Sequence, residues 1–433
     1  MSESTPETTT PRAGTFRPAD GDSQAFRDPK SVPLNEINLI RPDLFFNDTH
    51  LGYFERLRAE DPVHLESLNI EGLDQPYEFW NVTRYDDIRY VDTNHQIFSS
   101  EGSIVVDDMD EDFPLPMFIA MDPPRHDLQR RDVAPAVAPR NLANFEPIIR
   151  ERTRKVLDGL PIGEEFDWVD NVSIELTTLM LATLFDFPIE DRRKLTRWSD
   201  VATAAEGVIE SEEQRRAELI ECLEYFTNLW NARINEPPRT DLISMLAHGE
   251  STRNMQPMEY LGNLILLIVG GNDTTRNSMT GSVLFLNQNP DQYRKLNDNP
   301  DLIPGMVPEV IRYQTPLAYM RRTALVDTEL RGKKIKKGDR VLMWYVSGNR
   351  DPMGFADDPN QFIIDRKDAR GHVSFGFGIH RCMGNRLGEM QLRILWEEAH
   401  KRFRNIEVTG DPVRVGSSFV KGYASMPVKL HAR

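Results

Sequence analysis

Cysteine is almost missing from this chain: Cys222 and Cys382 are the only two in 433 residues, and they lie in unlike surroundings. A disulfide framework is thereby excluded as the organising principle, and a reducing, cytoplasmic setting is expected. Long apolar runs are scarce as well. The longest, Leu264 to Val269, has six residues, against the roughly 20 that a membrane-spanning helix needs, so no membrane span is expected. Positive charge is in deficit, with 52 Lys and Arg against 68 Asp and Glu and a net charge of −16. Such a surface repels phosphate, and nucleic acid is not an expected partner. No basic stretch followed by an apolar one marks the N-terminus, so no signal peptide is expected. The first residues are rich in Ser, Thr, Pro, Gly and Asp and carry little to bury. Residues 1–25 are therefore expected to be a disordered tail and 26–433 a single domain, since no repeat or Gly/Ser linker divides them.

Helical periodicity dominates the remainder. Amphipathic stretches cover about Asp122–Ala138, Leu142–Leu157, Val172–Phe185, Asp191–Val208, Glu212–Ile234, Met258–Gln288, Ile303–Tyr313 and Met383–Phe403. Strand-like runs are confined to Tyr77–Val82, Lys333–Val346 and Asn405–Leu430. The fold class expected is mainly α with small β-sheets. Ser99–Met121 and Asn349–His372 read as long irregular segments, which in a compact domain usually carry function.

The second of these runs into Phe375-Gly376-Phe377-Gly378-Ile379-His380-Arg381-Cys382-Met383-Gly384, three glycines and two aromatics around one cysteine, with a helical pattern directly after it. Glycine permits a tight loop and close approach to a flat partner. A Cys at a helix start receives N–H groups and the positive end of the helix dipole, which favours thiolate. A thiolate held in this way suits an iron ligand. Position by position, the loop resembles the cysteine-ligand loop of the cytochrome P450 superfamily. Cys222, among Leu219, Ile220 and Leu223, reads as a packing residue.

The resemblance extends to other motifs. Glu309-Val310-Ile311-Arg312 is similar to the family's E-x-x-R pair, which locks onto an arginine of the meander at the place of Arg366. Together these three would form a buried structural triad. Gly270-Gly271-Asn272-Asp273-Thr274-Thr275 is poor helix interior, and a local widening with a broken ladder bond is expected there. The stretch resembles the family's oxygen-activation motif, so Asp273 and Thr274 are the implied catalytic residues: Asp273 relaying protons, Thr274 hydrogen-bonding the bound dioxygen. His126, Arg130, Arg322 and His380 resemble the residues that bind the haem propionates, and Cys382 the metal ligand.

The family resemblance implies a cytochrome P450 fold, haem b, and a haem-thiolate monooxygenase that inserts one atom of O2 into an unactivated C–H bond. It also implies electrons from NAD(P)H through a ferredoxin reductase and a ferredoxin. Basic residues around the loop, Arg366, Lys367, Arg370, Arg381, Arg386 and Arg393, are the expected docking patch. The segments around Asp273 and Cys382 look like the bacterial family that hydroxylates the terminal methyl of alkanes and fatty acids. An apolar pocket is expected from Ile104, Val105, Val106, Phe118, Leu264, Leu267, Ile268, Gly271, Leu317 and Met320. A terpene or steroid hydroxylase of the same chemistry, or a haem sensor or carrier, are the alternatives.

Overall fold

The computed structural model describes residues 23–70, 73, 75–203 and 208–433. Most of the expected tail, residues 1–22, lies outside them. Ser23 to Ala25, assigned to that tail by composition, instead belong to the fold. Ser23 caps a short 3-10 helix, Gln24–Phe26, in which Gln24 and Ala25 are buried.

The chain is mainly helical with small sheets, as expected. Pro257–Gln288, 32 residues long, is the central helix. Its apolar side chains face neighbours on several sides, so it packs against Glu175–Phe185, Arg193–Thr203, Ile303–Gln314 and Asn385–Arg402. Among the described residues, no helix is long and apolar enough to cross a membrane. Prolines set several helix boundaries. The stretch expected as Asp122–Ala138 divides into the helix Arg125–Val133 and a 3-10 turn Ala134–Val137, because Pro135 has no N–H to continue the ladder. The next helix starts earlier than its apolar pattern, at Pro139, where a missing N–H costs nothing. The expected helix Asp191–Val208 is shorter, Arg193–Thr203, and residues 204–207 fall outside the described ones.

The largest sheet orders Val63–Leu68, Tyr77–Val82, Arg340–Met343, Met320–Ala324 and Phe98–Ser99 from edge to edge. Only the Tyr77–Val82/Arg340–Met343 pairing is parallel, with Trp80 opposite Val341. The run expected as one strand over Lys333–Val346 is broken by Gly338, whose φ of +93° turns the chain. It yields Lys333–Ile335, Arg340–Met343 and a helical turn, Tyr345–Gly348. A second sheet gathers Glu165–Asp167, Pro427–Ala432 and Phe403–Val408 near the C-terminus. Ser99–Met121 is irregular apart from Ser99, which ends the strand Phe98–Ser99, and a 3-10 turn at Phe118–Ala120. Asn349–His372 is irregular apart from a 3-10 turn at Ala369–Gly371.

Candidate active site

Cys382 stands just before the helix Asn385–Arg402, on a loop closed by its own N–H donating to the Phe375 carbonyl at 2.8 Å. The residue is accessible from a cavity yet set deep in the protein. That enclosure pushes its thiol up, while the N–H groups of Gly384 and Asn385 and the guanidinium groups of Arg130 and Arg381 draw it down. Cys382 lines a cavity of about 770 Å³, within the usual range of sites for organic ligands. The central helix lines the same cavity between Ile265 and Ser278.

That helix is unbroken through Gly270 and Gly271, contrary to the widening expected there. The short polar residues bond back onto it: the Thr274 hydroxyl donates to the Gly270 carbonyl at 2.8 Å and Ser278 to the Thr274 carbonyl at 2.8 Å. The two glycines have different reasons. A Cβ on Gly270 would meet open space, whereas one on Gly271 would come within 2.6 Å of Leu181 Cδ2. Gly271 thus lets a neighbouring helix approach, and Gly270 leaves room in the cavity.

Thr274 faces the cavity and Asp273 faces away from it, fully buried. Asp273 Oδ1 pairs with Arg276 at 3.0 Å and accepts from the Asn272 amide at 3.1 Å, while Oδ2 makes no close hydrogen bond. The Ser199 hydroxyl, likewise without a close partner, draws the carboxyl down. Arg276 reaches on to Asp200 at 2.7 Å, whose side chain is 29% exposed. Burial lifts the Asp273 carboxyl to about 6, with Arg276 opposing. The residues Asp200 and Arg276 had no signal in the sequence, because an outer ion pair between two helices is indistinguishable from surface charge.

Of the propionate candidates, Arg130, Arg322 and His380 line the cavity. His126 lies behind His380, with ring centroids 4.1 Å apart, and its Nδ1 meets Asp127 Oδ1 at 2.7 Å. Arg130 donates to the Arg381 carbonyl in the cysteine loop. Burial, with Arg322, His126, Arg130 and His95 adding to it, pushes His380 down to about 2. His126 Nε2 and both ring nitrogens of His380 are buried without a partner. Unpaired buried donors are costly, and here they cluster with two guanidinium groups beside a cysteine sulfur. The arrangement fits a haem, whose carboxylates would satisfy them and whose iron Cys382 would ligate.

Outside the cavity lining, Arg312 chelates Glu309 (2.7 and 2.8 Å) and donates to the carbonyls of Asn349 and Pro359 at 2.7 and 2.8 Å. Arg366 joins Glu309 at 3.2 Å and donates to the Asp358 and Gln361 carbonyls. All three side chains have 0% exposure. Every charge in the triad is hydrogen-bonded, so removing one partner would leave a buried charge uncompensated, at about 3–5 kcal/mol. Arg366 is consequently unavailable to a docking patch. Arg370 pairs with Glu389, and Arg393 with Glu146 and Glu397. Among the described residues, Lys367, Arg381 and Arg386 are the exposed cations of that group outside a carboxylate pair.

The apolar wall comes from Ile104, Val105, Val106, Phe118, Leu267, Leu317 and Met320, with the backbone of Gly271. Leu264 and Ile268, expected in the pocket, are instead 0% exposed within the helical core. A helix advances about 100° per residue, so the stripe bearing Leu267, Gly270, Thr274 and Ser278 meets the cavity and the stripe bearing Leu264 and Ile268 does not. Ile265, Leu266, Met117 and Phe419 line the cavity and were missed. Ile265 and Leu266 sit on the central helix inside an all-apolar run whose cavity-facing side has no marker in the sequence. Met117 and Phe419 lie in loops, where an apolar residue gives no cue to what it faces. Cys222 is buried in the helical core with Leu219 and Phe226.

The sequence matches the family described as Cytochrome P450 over residues 162–415. Linalool 8-monooxygenase of Pseudomonas putida is 34% identical over 92% of this chain and 99% of its own length. Methyl-branched lipid omega-hydroxylase of Mycobacterium tuberculosis is 30% identical over 92% of this chain and 96% of its own. Among solved structures, Cytochrome P450-153 from Novosphingobium aromaticivorans superposes with a TM-score of 0.84 at 47% identity, covering 91% of this chain and 99% of that one.

Proposed function

This chain belongs to the cytochrome P450 family and is a monooxygenase of that family, for which haem b is the implied cofactor, and we propose that it hydroxylates the terminal carbon of medium-chain alkanes or fatty acids. When bound, haem b supplies the activation of O2 and the transfer of one oxygen atom into a C–H bond. The protein residues hold, orient and deliver protons. Cys382 would ligate the iron through its thiolate, and Arg130, Arg322 and His380, with His126 packed behind His380, would receive the propionates. Asp273, with its carboxyl near 6, takes and releases a proton close to neutral pH at Oδ2. Thr274 turns its hydroxyl from the Gly270 carbonyl toward the cavity and donates there.

The observation that carries the substrate reading is a fixed apolar segment in the wall of the cavity that Cys382 also lines. Ile104–Val106 is a loop, yet its backbone is clamped. The Arg321 N–H donates to the Ile104 carbonyl at 2.8 Å, the Val106 N–H to the Tyr319 hydroxyl at 3.1 Å, and Tyr77 to the Val106 carbonyl at 2.6 Å. A primary C–H bond is stronger than the secondary one beside it, so terminal oxidation needs a wall that holds the methyl in place. A displacement of about 1 Å can cost on the order of a hundredfold in rate. The lipid omega-hydroxylase relative supports this reading; the linalool relative favours a terpene as the second one. Electrons come from NAD(P)H through a ferredoxin reductase and a ferredoxin that docks near Lys367, Arg381 and Arg386. Titrating the ferric enzyme with octane, dodecanoic acid, linalool and a steroid tests the assignment. Tighter spectral binding of octane or dodecanoic acid is the expected result; a response to linalool or the steroid alone contradicts it.

A further inference from the structure

The helix Tyr85–Thr93 grips the cysteine loop at two points. Arg89 stacks over the Phe377 ring at 4.7 Å. One turn on, Asp92 is 2% exposed and has three donors aimed at its carboxylate. Arg322 Nη2 donates to Oδ1 at 2.7 Å, while the Phe377 N–H at 2.7 Å and the Tyr345 hydroxyl at 3.2 Å both donate to Oδ2. Burial and the Asp92 charge raise the Tyr345 phenol well above its ordinary value, so it stays a donor. Two glycines of the loop have left-handed φ and make room for the contact. A Cβ on Gly376 would lie 3.0 Å from Asp92 Oδ2, and one on Gly378 would lie 2.6 Å from the Asp92 carbonyl oxygen. Arg322, Tyr345 and Gly376 all line the cavity, and Asp92 is the anion directly behind them.

We propose that Asp92 is a positioning residue for the haem, one carboxylate that both sets the charge of the propionate cation Arg322 and fixes the loop carrying Cys382. The inference rests on haem binding and not on which substrate is oxidised. An ion pair in a low-dielectric setting acts at close range. With Asp92 in place, the field of Arg322 at the haem is partly cancelled. Without it, the uncompensated guanidinium favours the reduced haem, which carries one electron more, and the potential rises. The second arm is mechanical: the Phe377 N–H would lose its acceptor, and the loop presenting the sulfur would loosen.

Asp92→Asn keeps the shape and one acceptor oxygen but removes the charge. Redox titration of the purified haem-loaded protein is expected to show a positive shift in the ferric/ferrous midpoint, with Tyr345→Phe, which alters no charge, left at the parent value. Asp92→Glu keeps the charge and displaces the carboxylate. It is expected to hold the parent midpoint while its ferrous–CO complex loses the thiolate-type spectrum several-fold faster on warming. A haem-loaded Asp92→Asn protein with an unchanged midpoint overturns the proposal. If that variant does not fold, Asp92→Glu decides alone: faster loss of the thiolate-type spectrum supports the coupling, and a parent-like rate overturns it.

Discussion

Asp273 and Arg276 stand one helical turn apart, with 3.0 Å between carboxylate Oδ1 and guanidinium Nη2, on the side of the central helix that Thr274 does not face. The acid of the motif is thus stored behind the cavity wall, with an arginine that also binds the more exposed Asp200.

The buried position gives Asp273 a pH signature. Its folded-state pKa of about 6 lies above the ordinary 3.8, so the native protein binds this proton more tightly than the unfolded chain. The contribution to stability is fully present below about pH 4 and is lost as pH rises through about 6. Asp273→Asn mimics the protonated form and does not titrate. Denaturant unfolding at both ends of that window is expected to show the parent losing on the order of 3 kcal/mol relative to the variant as pH rises. In turnover, the same variant should be slowed by about a hundredfold or more, the usual contribution of a positioned proton donor. A parallel pH dependence of stability in the two proteins would place the raised pKa elsewhere.

Thr274→Ala removes the hydroxyl that bridges the Gly270 carbonyl and the cavity. Haem content and substrate binding are expected to stay at parent values, and product formed per NADH consumed to fall several-fold, with hydrogen peroxide making up the difference. An unchanged ratio would take Thr274 out of proton delivery.

What the sequence made legible was local. The glycine spacing around Cys382 and the i, i+3 placement of Glu309 and Arg312 are properties of single segments, and they marked residues that the fold brings together. Element boundaries shifted mainly where proline or glycine acts: helix ends at Pro135 and Pro139, and the expected strand at Gly338. What stayed hidden depends on distant chain or on helix rotation. Asp92 meets Phe377 only because a helix and a loop 285 residues apart in sequence converge, and nothing in its neighbourhood distinguishes it from Asp86 or Asp87. Leu264 and Ile268 have the composition of pocket residues and the wrong phase. The short polar residues of the central helix signalled a break, yet their hydroxyls satisfy the carbonyls one turn back and the helix continues.

Docking of the electron donor is expected to depend on charges that no carboxylate already neutralises. Lys367→Glu should slow reduction by ferredoxin several-fold at low salt, and the difference should shrink as salt is added. Arg370→Glu should have a smaller effect, because Glu389 lies 3.1 Å from that guanidinium. Reduction by dithionite should be unaffected in both. Stopped-flow reduction with a bacterial ferredoxin measures this, and equal rates for all three proteins would move the docking face away from Lys367.

The most direct measurement is the position of the new hydroxyl. The enzyme, reconstituted with NADH, ferredoxin reductase and ferredoxin, would be given octane and dodecanoic acid separately, and the regioisomers resolved by chromatography. Terminal alcohol from octane or omega-hydroxy acid from dodecanoic acid as the main product is the expected result, since the clamped Ile104–Val106 wall together with Leu317 and Met320 would hold the methyl rather than its neighbour over the iron. Mainly subterminal alcohols, or no turnover of either chain while linalool is oxidised, would contradict it.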